Sequence, residues 1–211
     1  MRNQRKLSFL AIVSLAFTAG CASLPLLGGG KPSTPESIYT IQASASGPSG
    51  PSRANGQVMI VVPKPELPPG LDTERIALYL DQGHRLDYYA DARWSARLDE
   101  LLQNFLIEKV RQRLPGKIVG TPDLASSARY KLAIKVTDFG PVYAGAPDKP
   151  PRLDVGMTVT VLAGDMAKTQ FTIKKSAAAA DNKLRDVTSG LENVLQSATD
   201  EALQKATPFL G

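Results

Sequence analysis

The sequence predicts an α/β chain of the α+β kind, a twisted, largely antiparallel or mixed sheet with two long amphipathic helices packed on one face. Three observations predict it. Segments 130–136, 153–161 and 169–175 alternate apolar and polar residues with the period of two expected of half-buried strands. Two longer segments, within 93–114 and 184–202, repeat apolar residues at helical spacing along one side. The order strands, helix, strands, helix then gives each one-faced helix a sheet to cover.

The elements follow in chain order. "IYTIQ" at 38–42 is a short β-prone piece, and the polar "ASASGPSGPSRANG" separates it from the strand "QVMIVVP" at 57–63. "VMIVV" is apolar on both faces, which suits a central strand, and Pro63, Pro65, Pro68 and Pro69 forbid regular pairing beyond it. "RIALYL" (75–80) and "HRLDYY" (84–89), joined by "DQG", read as a hairpin. A helix follows in which Trp94, Leu98, Leu101, Leu102, Phe105 and Val110 share one side, with Arg97, Glu100, Gln103, Asn104 and Arg111 opposite. Pro115-Gly116 stops it, and "KIVG" gives a short strand. After the three alternating strands, Asp181 is placed to cap a last helix with a stripe of Leu184, Val187, Leu191, Val194, Leu195, Ala198 and Ala202, ended by Pro208. Two helices on one face leave the other sheet face to be buried by oligomerisation or by a partner.

With 211 residues, 43% of them hydrophobic, the chain supports one ordinary domain and its appendages. The formal charge of +5 suggests nucleic acid at first sight, but Arg2, Arg5 and Lys6 precede Cys21 with no acid to offset them. Without them 22 basic residues face 20 acidic ones, and no cluster of Lys and Arg with interleaved aromatics remains. A nucleic-acid partner is therefore not expected.

Residues 1–20 have the parts of a secretory signal: a basic start, an apolar run from Leu7 to Phe17, and small residues Thr18, Ala19 and Gly20 at the exit. The run from Leu7 to Gly20 is 14 residues, short of the roughly 20 that a spanning helix needs. The chain's one cysteine, Cys21, follows directly. "FTAGC" resembles the lipobox of bacterial lipoproteins, with Thr18 where an aliphatic residue is usual, and the resemblance implies that Cys21 is acylated, palmitate included, and becomes residue one of the mature chain. A lone thiol in an oxidising compartment has no disulfide partner within the chain, and a thioether to lipid removes it from oxidation. Multiple acyl chains hold a protein on a membrane where a single one does not. Ala22 in place of Asp points, by the sorting rule of such lipoproteins, to the periplasmic leaflet of the outer membrane. From Cys21 to Ser37 the chain is a lipidated N-terminus and flexible linker, and residues 38–211 form a single globular domain. Sixteen linker residues reach at most about 55 Å. In "GGGK" Lys31 is followed by Pro32 rather than Ser or Thr, so the stretch makes no phosphate loop.

Nothing in the sequence supports an enzyme. The one histidine, His84, sits in a turn-like "DQGHR", so a Cys/His metal cluster cannot be built, and no G-x-S-x-G elbow supports a triad. Asp87, Asp91, Asp99 and Glu100 are spaced as solvated carboxylates are. No catalytic, metal or cofactor residue is assigned, and the covalent lipid on Cys21 is the one addition expected. Trp94, the one tryptophan, is read as a core residue first and as a partner-contact anchor second.

"IYTI", "VMIVVPKPELPPGLDTERIALYL", "HRLDYYADARWSARLDELLQNFLIEKVRQRL", "ARYKLAIKVTDFG" and "VGMTVTVL" together resemble the auxiliary lipoproteins of ABC-type transport systems, the PqiC-like family. The resemblance runs over nearly all of the domain and lies in structural residues. It implies a non-enzymatic lipoprotein of the outer membrane, facing the periplasm and partnered with an MCE-domain protein and an inner-membrane ABC permease and ATPase. Such systems carry lipids between the two membranes, and a ring-shaped homo-oligomer is part of the same implication. The alternative is a pilot or chaperone lipoprotein for the assembly of an outer-membrane machine.

Overall fold

One strand organises the sheet by serving two sets of partners along a single edge. In the computed structural model, which describes residues 36–44, 59–123, 128–145 and 149–211, the order of elements is β1 (Ser37–Tyr39), β2 (Met59–Val61), β3 (Arg75–Leu80), β4 (Arg85–Trp94), α1 (Leu98–Arg113), β5 (Ile118–Gly120), β6 (Tyr130–Val142), β7 (Arg152–Ala163), β8 (Met166–Ala178) and α2 (Leu184–Ala206). On one edge β6 pairs antiparallel with β7 along its whole length, and β7 pairs likewise with β8. On its other edge β6 meets β2 at Tyr130 and Lys131, and β3 at Val142, both in parallel. β5 lies beyond β2, and β4 and then β1 lie beyond β3. The eight strands make one mixed sheet, and all described residues belong to one compact unit.

The alternation in β6 changes phase once. Leu132, Ile134 and Val136 face the core on even numbers, and Phe139 faces it on an odd one. A bulge between Val136 and Asp138 supplies the extra residue. Opposite it, Gly156 leaves the space that Asp138 Oδ2 and Thr137 Oγ1 occupy. Two residues further on, Gly140 has φ +147°, and a Cβ there would stand 3.2 Å from the Tyr79 ring. Glycine is required at that position both by the backbone and by the close approach.

α2 packs on β7 and β8, and α1 packs against α2 and β5. The stripe expected on α2 is buried from Val187 to Ala202, while Leu184 is half-buried. Asp181 does not cap this helix: Lys183 holds the N-cap position with no side-chain bond, and the Asp181 carboxylate instead accepts the Asn182 N–H at 2.6 Å. α1 departs further from the expected one-sided pattern. Gln103 is buried, its Nε2 donating to the Val62 carbonyl at 2.9 Å, because α1 is covered from more than one side. Asp99 and Glu100 in its first turn complement the positive end of the helix dipole.

The outer sheet face is polar where β6, β7 and β8 run together. Lys135, Thr158 and Thr172 lie in one cross-strand row, the two threonine hydroxyls 3.1 Å apart. Burying an uncovered apolar face is thus not a requirement here.

Candidate functional site

Cys21, with Ala22 and the linker up to residue 35, lies outside the described residues. What is described is the point where that segment joins the fold. β1 is an edge strand, parallel to the last residues of β4, and Ser95 N–H donates to the Tyr39 carbonyl at 2.7 Å. Just before it, Glu36 is gripped by Arg93, whose Nε lies 2.9 Å from Glu36 Oε2 and whose Nη1 lies 3.1 Å from Glu74 Oε2. After β1 the chain crosses onto α2, where Gln196 Nε2 donates to Ser44 Oγ at 2.6 Å. Any load on an N-terminal anchor enters the domain at this edge.

Trp94 does not reach the surface. It ends β4, its N–H donates to the Glu74 carbonyl at 2.7 Å, and its side chain is 2% exposed within the core, so the expectation of a partner-contact anchor at Trp94 is corrected. Burial of so large a ring at the junction of β4, β1 and α1 explains its position by packing alone. His84 is exposed beside the hairpin turn, in which Asp81 and Gln82 take positive φ. Asp99 and Glu100 both face Lys64, at 3.4 and 2.8 Å. Among the described residues no group of three His, Cys, Asp or Glu is placed to hold a metal ion.

A chain of hydroxyls fixes the start of α2 to the sheet. Tyr89 and Tyr143 share a hydrogen bond of 2.8 Å, and Tyr143 Oη donates to Asn182 Oδ1 at 2.7 Å. Burial, and then the bond to Tyr143, push the Tyr89 phenol well above the ordinary tyrosine range.

A concave feature in two adjoining parts runs along one side of α2. Its first part, about 410 Å³, lies between Leu153, the end of β8 and the α2 residues Ser189, Gly190, Asn193 and Val194. Its second part, about 870 Å³, lies between the last turns of α1 and α2 and carries Lys109, Arg113, Lys175 and Lys205 against Asp200 and Glu201. Lys175 and Ser197 line both parts, which adjoin as a trough along α2. Gly190 lets the buried Leu153 side chain close onto α2, since a Cβ there would stand 2.5 Å from Leu153 Cδ1. In the second part Lys109 Nζ lies 2.7 Å from Asp200, and Glu201 is held by Lys175 at 2.6 Å and Lys205 at 2.9 Å. These two ammonium groups, Lys175 first, hold the Glu201 carboxyl below the usual range. No local pattern announces this trough, because its residues come from α1, β7, β8 and α2 and each looks like part of an ordinary helix or strand.

The family model described as ABC-type transport auxiliary lipoprotein component matches residues 39–202. The chain belongs to this family. The match takes in every element from the end of β1 through most of α2, so the fold described above is the family's domain. No curated protein matches the chain. Among solved structures, protein XCC0632 from Xanthomonas campestris is similar with a TM-score of 0.65 at 21% identity, over 81% of this chain and 94% of that one. An uncharacterised protein is similar with a TM-score of 0.63 at 14% identity, over 82% and 99%. At such identities the likeness is one of fold. The PelC dodecamer from Paraburkholderia phytofirmans, at 18% identity over 74% and 92% of the chains, has a TM-score of 0.39, too low to bear on assembly.

Proposed function

We propose that this auxiliary lipoprotein is acylated at Cys21, anchored in the outer membrane facing the periplasm, and serves there as the non-enzymatic terminus of an ABC system that moves lipids between the membranes. Its partners in this reading are an MCE-domain protein and the inner-membrane permease and ATPase, and it acts as a ring of several copies. The observation that carries the reading is the family match over residues 39–202 behind a leader that ends in "FTAGC". Physical sense agrees with it. A hydrophobic cargo crossing water needs a continuous sheltered route, and a domain tethered at the far membrane supplies the route's end. Crosslinking in intact membranes followed by identification of the adducts tests it. The expected products are an MCE-domain protein and a ladder of self-crosslinks, and adducts only with secretion or envelope-assembly proteins would overturn it.

A further inference from the structure

Residues 36–44, where the N-terminal segment joins the domain, are lightly held. They pair with the sheet only through β1, which meets β4 over three residues and ends the strand order on that side. Six of the nine residues are exposed, Ile38 at 58% among them, and Ile41 alone is buried. The remaining hold is polar and lies at the two ends: Arg93 on Glu36, and on α2 the Glu192 carboxylate, which accepts the Gln42 N–H, with Gln196 donating to Ser44. Exposed ion pairs contribute little, and segments with few buried contacts open at a lower free energy than the core. Taking this segment away strands no charge, because Arg93 keeps Glu74 at 3.1 Å and the Trp94 carbonyl at 3.2 Å. The pairing of β3 with β4 and the Trp94 N–H bond to Glu74 stay as they are. What departure uncovers is Ile41 and the β1 side of Trp94.

We propose that residues 36–44 are a releasable strap: under load on the N-terminal anchor they leave β4 and α2 while the rest of the domain stays folded, and the tether lengthens. Chain count sets the gain. With β1 in place the tether runs from Cys21 to Glu36, a reach of about 50 Å. With the strap free it runs from Cys21 to Met59, the first residue of β2, a reach of about 130 Å. β2 does not leave with the strap, since it pairs on one side with β5 and on the other with β6, and Ile60 and Val61 are buried. The domain would thus carry its other surfaces unchanged to a greater distance from the membrane that holds it. The inference takes its biological sense from anchoring at Cys21, and its test needs no membrane.

The test stretches the mature chain, residues 21–211 with Cys21→Ser, in an optical trap through a DNA handle at each end. The expected record shows an early, reversible step at a force well below that of the main unfolding event. β1 and β2 lie four strand spacings apart in the sheet, about 19 Å. The stretch from Glu36 to Met59 extends to about 80 Å, so the early step should add about 60 Å. Ser37→Cys with Ala92→Cys places a disulfide between register partners of β1 and β4. Oxidation should remove the early step and reduction should restore it, the reduced form showing also that this variant folds. Glu36→Gln should raise the released fraction about threefold at a given force. A record in which the whole domain unfolds with no early step, an early step that survives the oxidised disulfide, or one long enough to include β2 would each overturn the inference. Cys21 is absent from this chain and no lipid is present, so failure here and failure of the anchoring reading are told apart.

Discussion

Lys109 on α1 places its ammonium 2.7 Å from the Asp200 carboxylate on α2, and only the acid end of the pair is open to water, the side chains being 5% and 60% exposed. Removing each partner should therefore cost differently. Asp200→Asn leaves an ammonium on a buried stem without its counter-charge and should destabilise by about 1–2 kcal/mol, discounted for the exposure of the acid. Lys109→Met keeps the stem's packing and frees an exposed carboxylate, and should cost less than about 1 kcal/mol. Urea unfolding of both variants checks the order, and equal losses would contradict it.

Gly190 is expected to break the usual rule for helix glycines. Alanine in place of an interior helix glycine ordinarily stabilises by about 0.5–1 kcal/mol. Here the new Cβ would meet Leu153 Cδ1, and Leu153 is fully buried. Gly190→Ala should lower stability by about 1 kcal/mol, and Leu153→Ala in the same chain should recover part of that loss relative to the sum of the single variants. Thermal melting of the four proteins of this cycle measures it.

The hydroxyl chain Tyr89, Tyr143, Asn182 predicts both a mutational and an alkaline response. Tyr143→Phe removes the partner of a half-buried phenol and should cost about 1–3 kcal/mol. Tyr89 and Tyr79 both have pKa values raised first by burial. The folded state thus keeps protons that the unfolded chain releases above its tyrosine pKa of about 10. Their contribution to stability is complete below that value and is lost as pH rises beyond it. Urea midpoints measured upward from neutral pH should fall in this window, with the Tyr89 phenol silent in an absorbance titration of the folded protein.

Cys21→Ser should abolish acylation and release the protein from the membrane fraction, because in the proposed reading the acyl chains on Cys21 are the anchor. Metabolic labelling with palmitate and fractionation of the envelope decide it. An unlabelled variant that still sediments with the outer membrane would overturn the anchoring role of Cys21.

Much of the fold was legible because most elements obey one period. β7, β8 and the stripe of α2 follow their alternation or helical spacing closely, as packing against a single neighbour layer allows. β6 was legible only to Val136: the bulge shifts its phase, and Gly140 and Pro141 look like breakers although they lie in a strand that runs to Val142. Gln103 lies on the side that the spacing marks as polar and is nevertheless buried, because no sequence pattern announces that α1 is covered by α2 as well as by the sheet. The order of strands was not legible either, since the parallel pairs β2 with β6 and β3 with β6 join segments far apart in the chain. The trough needed four elements, α1, β7, β8 and α2, to be brought together and so left no local signal.

The divided edge of β6 also decides where this domain can grow. Between β2 and β3 the chain touches β6 at a single bridge, Glu66 with Lys135, so extra residues near Pro68 and Pro69 would leave the pairing of β6 with β2, β3 and β7 in register. One extra residue inside β6 would shift it against β7, β2 and β3 together and turn its core side chains outward. Added residues are thus better tolerated in the Pro-rich connection than in the long strand beside it, whose count fixes the register of three neighbours.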